Sequence, residues 1–502
     1  MPAGRELLLG LDVGTTATKA MAFDQWGQAV AGATQAYELI TPRPGWVEQD
    51  PEDLWSAVIR TVRDVQAQLG PQDRIVALSQ ASQGGTTIPV DATGAPTHNA
   101  ISWMDQRGSE TSERARAEIG ADTICTTTGW PLGDTLPLQH IAWLRQHRPA
   151  VFEQTDRFLF VNDFITQRLT GKRVMNPSDG TMTQLLDIAT AGWDSRLLAF
   201  VGITRDQVSE LLPSGHTIGT LTAEASEVLG LSRDVLVVNG AHDQYCAAVG
   251  TGVTQPGEVL LSCGTAWVLL AVPDSLQAGR DSGMALSCHA VPGRWGGIRS
   301  LGGIGTSLEW LLSQVWRQDS ARSRAHLYGT LNEGAARVPP GANGLLFVPL
   351  SGGHVGTRTS GGFLNLMLSH AREDMARAVM EGITYELRWT IEEIQGTGVA
   401  VEQLTMVGGA AQSPIWPQIV ADVTGVPVTV PEERQAAALG AAILAGVGAG
   451  CFPNAEAGFS AFKGAARGAV SKLAPEPGTR TTYDRQFSDY QHLYHTTFAP
   501  SR

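Results

Sequence analysis

Twice in this chain an apolar run enters a glycine-threonine turn and a second apolar run leaves it. The first copy is Leu7-Leu8-Leu9-Gly10-Leu11-Asp12-Val13-Gly14-Thr15-Thr16-Ala17-Thr18-Lys19, continued by Ala20 to Phe23. The second, about halfway along, is Val259-Leu260-Leu261-Ser262-Cys263-Gly264-Thr265-Ala266-Trp267-Val268-Leu269-Leu270. Each predicts a β-hairpin with Gly-Thr at its tip. Aligning the glycines sets Thr15 against Thr265 and Asp12 against Ser262. Glycine lets backbone N–H groups come close to an anion, and the hydroxyls add donors. An acid beside such donors fits a divalent cation held between carboxylate and phosphate. Two such hairpins, one of them acidic, predict two related domains facing one nucleotide. Two unrelated hairpins with small turn residues would give the same short pattern.

A length of 502 residues exceeds what one core organises, so two large domains are expected. The net charge of −13, with no long basic run, argues against nucleic acid or an anionic membrane as partner. It leaves ATP open, because local dipoles and Mg²⁺ override global charge. Five scattered cysteines without a CxxC predict no disulfide framework, no zinc site and a reducing, cytoplasmic setting. The Leu7–Leu11 run is stopped by Asp12 and is too short for a signal-peptide core. Residues 436–450 are apolar but glycine-broken and short of the ~20 residues a span needs, so they predict a packed helix.

Asp50-Pro51 is a helix start, with an acid for the free N–H groups and proline at the first helical position. Leu54, Val58, Val62 and Val65 continue it as a stripe toward Gly70. Residues 75–79 predict a strand running into Gln83-Gly84-Gly85-Thr86, and residues 157–169 predict a mostly helical segment. Residues 235–238 predict a buried strand ending in Asn239-Gly240-Ala241-His242-Asp243-Gln244, then an alanine-rich helix. An acid at a strand end and helix start suits chemistry at a domain junction. It equally suits an N-cap. The domain boundary is expected near residues 250–256, giving domains 1–250 and 251–502. In the second half, Gly302-Gly303-Ile304-Gly305-Thr306 opens a helix, residues 373–394 form a long helix, and residues 404–407 form a strand ending in Gly408-Gly409-Ala410-Ala411-Gln412-Ser413. The class is α/β with two similar lobes. The P-loop, the protein-kinase motifs, a strand-borne GxGxxG, GxSxG and HExxH are all absent.

Several segments in order resemble the FGGY carbohydrate kinases, the xylulokinase-like branch above all. They are the Asp12-Val13-Gly14-Thr15-Thr16 hairpin, Gly45-Trp46 through Trp55, His242-Asp243-Gln244 ahead of Cys263-Gly264-Thr265, and Gly361-Gly362-Phe363 through Glu381-Gly382. The resemblance spans residues 7 to 450. It implies two related actin/hexokinase-like (ribonuclease H-like) lobes with the active site in the cleft between them. The activity implied is transfer of the γ-phosphoryl group of ATP to a hydroxyl of a ketose or polyol. D-xylulose is the default acceptor, and erythritol, ribulose, sedoheptulose, glycerol or a signalling polyol are alternatives. Carried over residue by residue, Asp243 matches the general base and Asp12 the residue that holds hydrated Mg²⁺. Gly14, Thr15, Thr16, Gly264 and Thr265 match phosphate-binding positions, and Gly305, Gly409 and Ser413 positions that line the adenosine and α-phosphate. Gln83, Gly84, Trp103, Asp105 and Asp243 match the sugar end. The partners implied are a small sugar or polyol and ATP, with no nucleic acid and no membrane, and a homodimer is frequent among similar kinases. A chaperone or filament ATPase shares such hairpins, but the roughly 50 residues after position 450 are too few for a peptide-binding domain.

The sugar end departs from the xylulokinase pattern. Where that branch carries Gln-Met-His-Gly, this chain has Gln83-Gly84-Gly85-Thr86. The usual lysine before Leu-x-Trp is His140, the Gly-Glu-Arg-Thr-Pro loop is replaced by Gly352-Gly353-His354-Val355-Gly356, and a signature glycine is Asn365. Small changes in a pocket built for particular hydroxyls redirect specificity.

Overall fold

The structure is a computed structural model that describes residues 4–316, 323–355, 360–432, 435–465 and 471–497. Packing divides the chain into two units. The first takes the chain up to Thr254, together with Ala285–Gly296 and the stretch that begins at Gln435. The second takes Gln255–Met284, the stretch that begins at Gly297, and the C-terminal strand and helix. The chain thus returns to its first unit twice after residue 250.

Both units are built on the same run of six strands. In the first, the hairpin Glu6–Val13 and Ala17–Asp24 extends on one side to Ala29–Ala36, all antiparallel. On the other side Glu6–Val13 pairs in parallel with Arg74–Ser82, which pairs in parallel with Leu236–His242, which meets the antiparallel edge Thr217–Thr220. In the second, the hairpin Gly257–Cys263 and Trp267–Ala271 extends to Trp295–Gly302. Gly257–Cys263 then pairs in parallel with Val401–Gly408, which pairs in parallel with Val428–Val430, which meets the antiparallel edge Ser471–Leu473.

Alternation explains the layers. In the first strand Leu7, Leu9, Leu11 and Val13 share a buried cluster with Leu54, Val58, Val62 and Val65 of the helix Pro51–Gln68. Asp50 accepts from Glu52 N, so the helix starts where the acid-proline pair predicts. The opposite face meets the helix Ala436–Gly448, which approaches so closely that a Cβ on Gly10 would lie 1.8 Å from the Ala438 carbonyl oxygen. In the second unit Val259, Leu261 and Cys263 share a cluster with Val379, Ile383 and Leu387 of the long helix Arg372–Gly396. Among the described residues no helix is long and apolar enough to cross a membrane.

Residues 157–169 differ from expectation. Arg157–Phe160 is a strand paired with Thr87–Val90, and the helix begins only at Val161. The buried partner strand claims Phe158 and Leu159, and Asp163 takes the Phe160 N–H at 2.6 Å, so the helix cannot begin earlier. Asn365 adopts φ +60, a backbone region glycine fills easily and asparagine tolerates, so the substitution keeps the turn.

Candidate active site

In the first unit the hairpin tip is closed by Gly14 N–H donating to Ala17 O at 3.0 Å. Gly14 has no positive φ, and a Cβ there would meet only the Ala17 carbonyl, at 3.2 Å. Neither backbone conformation nor packing demands the glycine, so the open space over it is free for something else. The tip is held from below by polar side chains. Gln49 Nε2 donates to Thr15 O at 2.8 Å, Gln83 Nε2 donates to Gln49 Oε1 at 3.0 Å, and Trp103 Nε1 donates to Thr15 Oγ1 at 3.0 Å. Tyr37 donates its hydroxyl proton to Gly14 O. Thr16 is exposed at the tip. Trp103 is 44% exposed, unlike a core tryptophan, with its indole edge tied to the tip.

Asp12 is mostly buried, and Lys19 Nζ lies 3.3 Å from its Oδ2. Burial raises its pKa, the Lys19 charge works against that, and the Asp243 charge raises it further. A buried carboxylate pushed this way gains from a cation, which is the setting Mg²⁺ needs: one or two carboxylates, with the remaining positions left to water and phosphate. Among the described residues no group of three or more acids, histidines or cysteines forms an all-protein metal cage. The residues present therefore fit a hydrated Mg²⁺ anchored by Asp12.

Asp243 is the first residue of the helix Asp243–Thr251, directly after the strand Leu236–His242. The cap position is His242, and no side chain caps this helix. The carboxylate is thus not spent on capping; it is 30% exposed, with Oδ1 3.4 Å from His242 Nε2. Behind it lies a buried polar network that sequence reasoning missed. His242 N donates to Ser178 Oγ at 3.0 Å, Ser178 Oγ donates to Asn176 Oδ1 at 2.5 Å, and Asn176 Nδ2 donates to Asp179 Oδ2 at 2.7 Å. Burial, with the Asp243 charge adding, lifts the Asp179 pKa well above the carboxylate range. The available signal was Asn176-Pro177, a cap followed by proline, with a second acid inside the short helix Pro177–Thr181.

Asp105 is placed differently from an open sugar ligand. It is fully buried; its Oδ1 accepts from Arg107 Nε at 2.8 Å, and its Oδ2 from Arg107 Nη2 at 2.7 Å and Val47 N at 2.6 Å. Arg107 also donates to Glu48 at 2.7 Å and lies over the rings of Trp46 and Trp143. Gln83 is buried beneath the tip, and Gly84 and Gly85 form a side-chain-free floor beside it. His140 is buried against Thr87 Oγ1 at 3.1 Å, with its pKa pushed down to about 3 by burial, so it is neutral. Of the Gly352–Gly356 loop, Gly356 lies outside the described residues.

In the second unit Gly264, Thr265, Gly305, Gly409 and Ser413 all line one cavity of about 650 Å³, a size suited to a nucleoside-sized ligand. A Cβ on Gly305 would lie 2.4 Å from the Gly264 carbonyl oxygen, so the helix Thr306–Gln314 can approach the tip only because residue 305 is glycine. Ser413 Oγ donates to Asn332 Oδ1 at 2.6 Å and accepts from Trp416 N at 3.1 Å. Tyr328 and Asn332, from the helix Arg324–Arg337, also line the cavity and were missed. Their segment carries only a weak apolar stripe and no motif.

The sequence profile of the FGGY family of carbohydrate kinases, N-terminal domain, matches residues 7–250, and that of the C-terminal domain matches residues 259–449. A xylulose kinase of Staphylococcus epidermidis is 30% identical over 499 residues, covering 98% of this chain and 97% of that protein. A gluconokinase of Bacillus subtilis is 29% identical over 452 residues, covering 87% of this chain and 86% of that protein. Among solved structures, the xylulose kinase of Rhodospirillum rubrum superposes with a TM-score of 0.88 at 28% identity, covering 98% of this chain and 99% of that one. These matches run through both units. The chain is an ATP-dependent sugar kinase and belongs to the FGGY family of carbohydrate kinases.

Proposed function

We propose that this kinase phosphorylates a primary hydroxyl of D-xylulose, giving D-xylulose 5-phosphate, with Asp243 as general base. The observation that carries the reading is the Asp243 carboxylate: partly exposed at a helix start, unused as a cap, and close enough to Asp12 for its charge to raise that group's pKa. Asp243 takes the hydroxyl proton as the acceptor oxygen attacks phosphorus. Trp103 offers its exposed ring to the apolar face of the sugar. Gln83 and Asp105 belong to the shell that holds this end, Asp105 by fixing the loop that carries Trp103. Thr15, Thr16, Gly264 and Thr265 donate to phosphate oxygens, and Gly305, Gly409 and Ser413 border the adenosine. Asp12 would hold hydrated Mg²⁺, which when bound neutralises charge on the phosphates. The setting this reading carries is cytoplasmic, in keeping with five cysteines that form no disulfide among the described residues, and a homodimer is the assembly the family resemblance leaves open.

A positioned base contributes about 10²–10⁴ in rate. Asp243→Asn is therefore expected to lose about that much kcat with an unchanged melting temperature. Coupled ADP-release assays across D-xylulose, D-ribulose, erythritol, glycerol, sedoheptulose and D-gluconate identify the acceptor. An active Asp243→Asn enzyme removes the base from the mechanism, and a higher kcat/KM for any other acceptor replaces D-xylulose.

A further inference from the structure

Gly84 and Gly85 lack side chains for different reasons. Gly85 has φ +73, which favours glycine whatever the space. Gly84 has no such φ, but its Cβ would lie 2.5 Å from His242 Cδ2, 3.0 Å from His242 Nε2 and 2.7 Å from Met182 Cγ. The His242 ring therefore stands in the space that a side chain at residue 84 would fill. On the other side of the same floor, a Cβ on Gly85 would lie 3.1 Å from Trp103 Cβ. The two glycines thus separate the His242 ring from the Trp103 loop, with Asp243 next in chain to the histidine.

The ring is held in place. Its backbone N–H is tied to Ser178, and it packs tilted on Tyr245 at 5.8 Å between centroids. It is 6% exposed. Burial pushes its pKa below the usual range, against the opposing Asp243 charge, so the ring is neutral and carries one N–H. Nδ1 is buried without a hydrogen-bond partner among the described residues. A proton on Nδ1 would leave a buried N–H unpaired and turn the Nε2 lone pair toward a carboxylate. With the proton on Nε2 instead, the N–H sits 3.4 Å from Asp243 Oδ1, within ion-pair range though not aligned as a hydrogen bond. That tautomer is the one the surroundings favour, in a long contact of the kind that tightens when substrate binds.

We propose that His242 selects the acceptor and positions the base: its ring walls the acceptor seat over Gly84, and its Nε2–H ties Asp243 Oδ1 so that Oδ2 meets the acceptor hydroxyl. This rests on Asp243 acting as the base. The ring limits the room above the glycine floor, so its removal is expected to favour bulkier acceptors such as D-gluconate over D-xylulose.

The test is steady-state kinetics of the full chain with D-xylulose, D-gluconate and ATP, alongside melting temperatures. Losing a hydrogen bond to a charged group costs about tenfold in rate, so His242→Ala is expected to lower kcat about tenfold and leave the ATP KM unchanged. The added room is expected to raise the gluconate-to-xylulose ratio of kcat/KM about tenfold or more. His242→Gln, which keeps an N–H, recovers part of the kcat. Gly84→Ala pushes the ring off Asp243 and lowers kcat likewise, while its methyl refills the vacated space and leaves the acceptor ratio near wild type; it carries the positioning half of the test should His242→Ala fail to fold. Gly84→Ala/His242→Ala is no worse than His242→Ala alone, because both act through one ring. Wild-type kcat and acceptor ratio in His242→Ala, or losses that multiply in the double variant, overturn the proposal. An active Asp243→Asn enzyme defeats the base assignment separately, since the acceptor ratio is read without it.

Discussion

The two hairpins share their place in the sheet and differ at their tips. In the first, Val13 pairs with Thr18, leaving Gly14 to Ala17 in the tip. In the second, Cys263 pairs with Trp267, leaving Gly264 to Ala266, a shorter turn. One residue before Val13 the first hairpin carries Asp12; the equivalent place before Cys263 carries Ser262. The first tip is braced by Gln49, Trp103 and Gln83, which hold its polar groups in fixed directions. The second opens on a cavity bordered by Trp267, Met380 and Trp416 as well as by glycines. A duplicated scaffold thus carries two differently built tips. A braced, acidic tip suits metal, phosphate and acceptor, and an open, largely apolar seat suits a nucleoside.

The largest effect that can break this comparison is on the acid. Asp12→Asn removes the charge but keeps the shape, and removing one preorganised charge-stabilising group costs about 10²–10³ in kcat. Ser262→Ala, at the equivalent place in the second hairpin, is expected to cost less than about threefold. Activity against Mg²⁺ concentration reads both variants. Equal losses would mean that the hairpins share the load and that the division of labour is wrong.

The support of the first tip gives the next effect. Asp105, Arg107 and Glu48 form a buried ion network that holds the Trp103 loop. Breaking a buried ion pair by removing one partner costs about 3–5 kcal/mol, so Asp105→Asn is expected to lower the melting temperature by about 10 °C. If the variant melts like the wild type and only the acceptor KM rises, the carboxylate reads a sugar hydroxyl itself. The first tip is then less a braced structure than a binding surface.

Much of this was legible in the sequence because the residues concerned act locally. Asp50-Pro51 starts its helix through its own neighbours, and the alternation of Leu7, Leu9, Leu11 and Val13 marks a buried face without knowledge of the partner. Asp243 could be located by its strand-to-helix junction. What stayed hidden depends on distant partners. Arg157–Phe160 becomes a strand because Thr87–Val90 pairs with it. Asp105 looks like a sugar ligand until Val47 and Arg107 occupy its oxygens. Tyr328 and Asn332 join the cavity from a helix that has no motif, and Ala285–Gly296 returns to the first unit with no break in composition to announce it.

The smallest effect sharpens the comparison most, because it asks what each tip glycine is for. Neither Gly14 nor Gly264 has a positive φ. A Cβ would meet Ala17 O at 3.2 Å in the first and Ala266 O at 3.7 Å in the second. Gly14→Ala and Gly264→Ala should therefore fold normally. Loss of unfolded-state freedom would even add about 0.4–1 kcal/mol of stability where the backbone is unstrained. If the space above each glycine belongs to phosphate, each methyl group keeps the backbone N–H groups from their ligand, and the ATP KM rises by roughly 3–10-fold. Isothermal titration with ATP reads the same loss without turnover. A rise for Gly264→Ala alone assigns the phosphates to the second tip and leaves Asp12 to act through the metal. A rise for both assigns phosphate contacts to both tips, and no change in either removes phosphate from both.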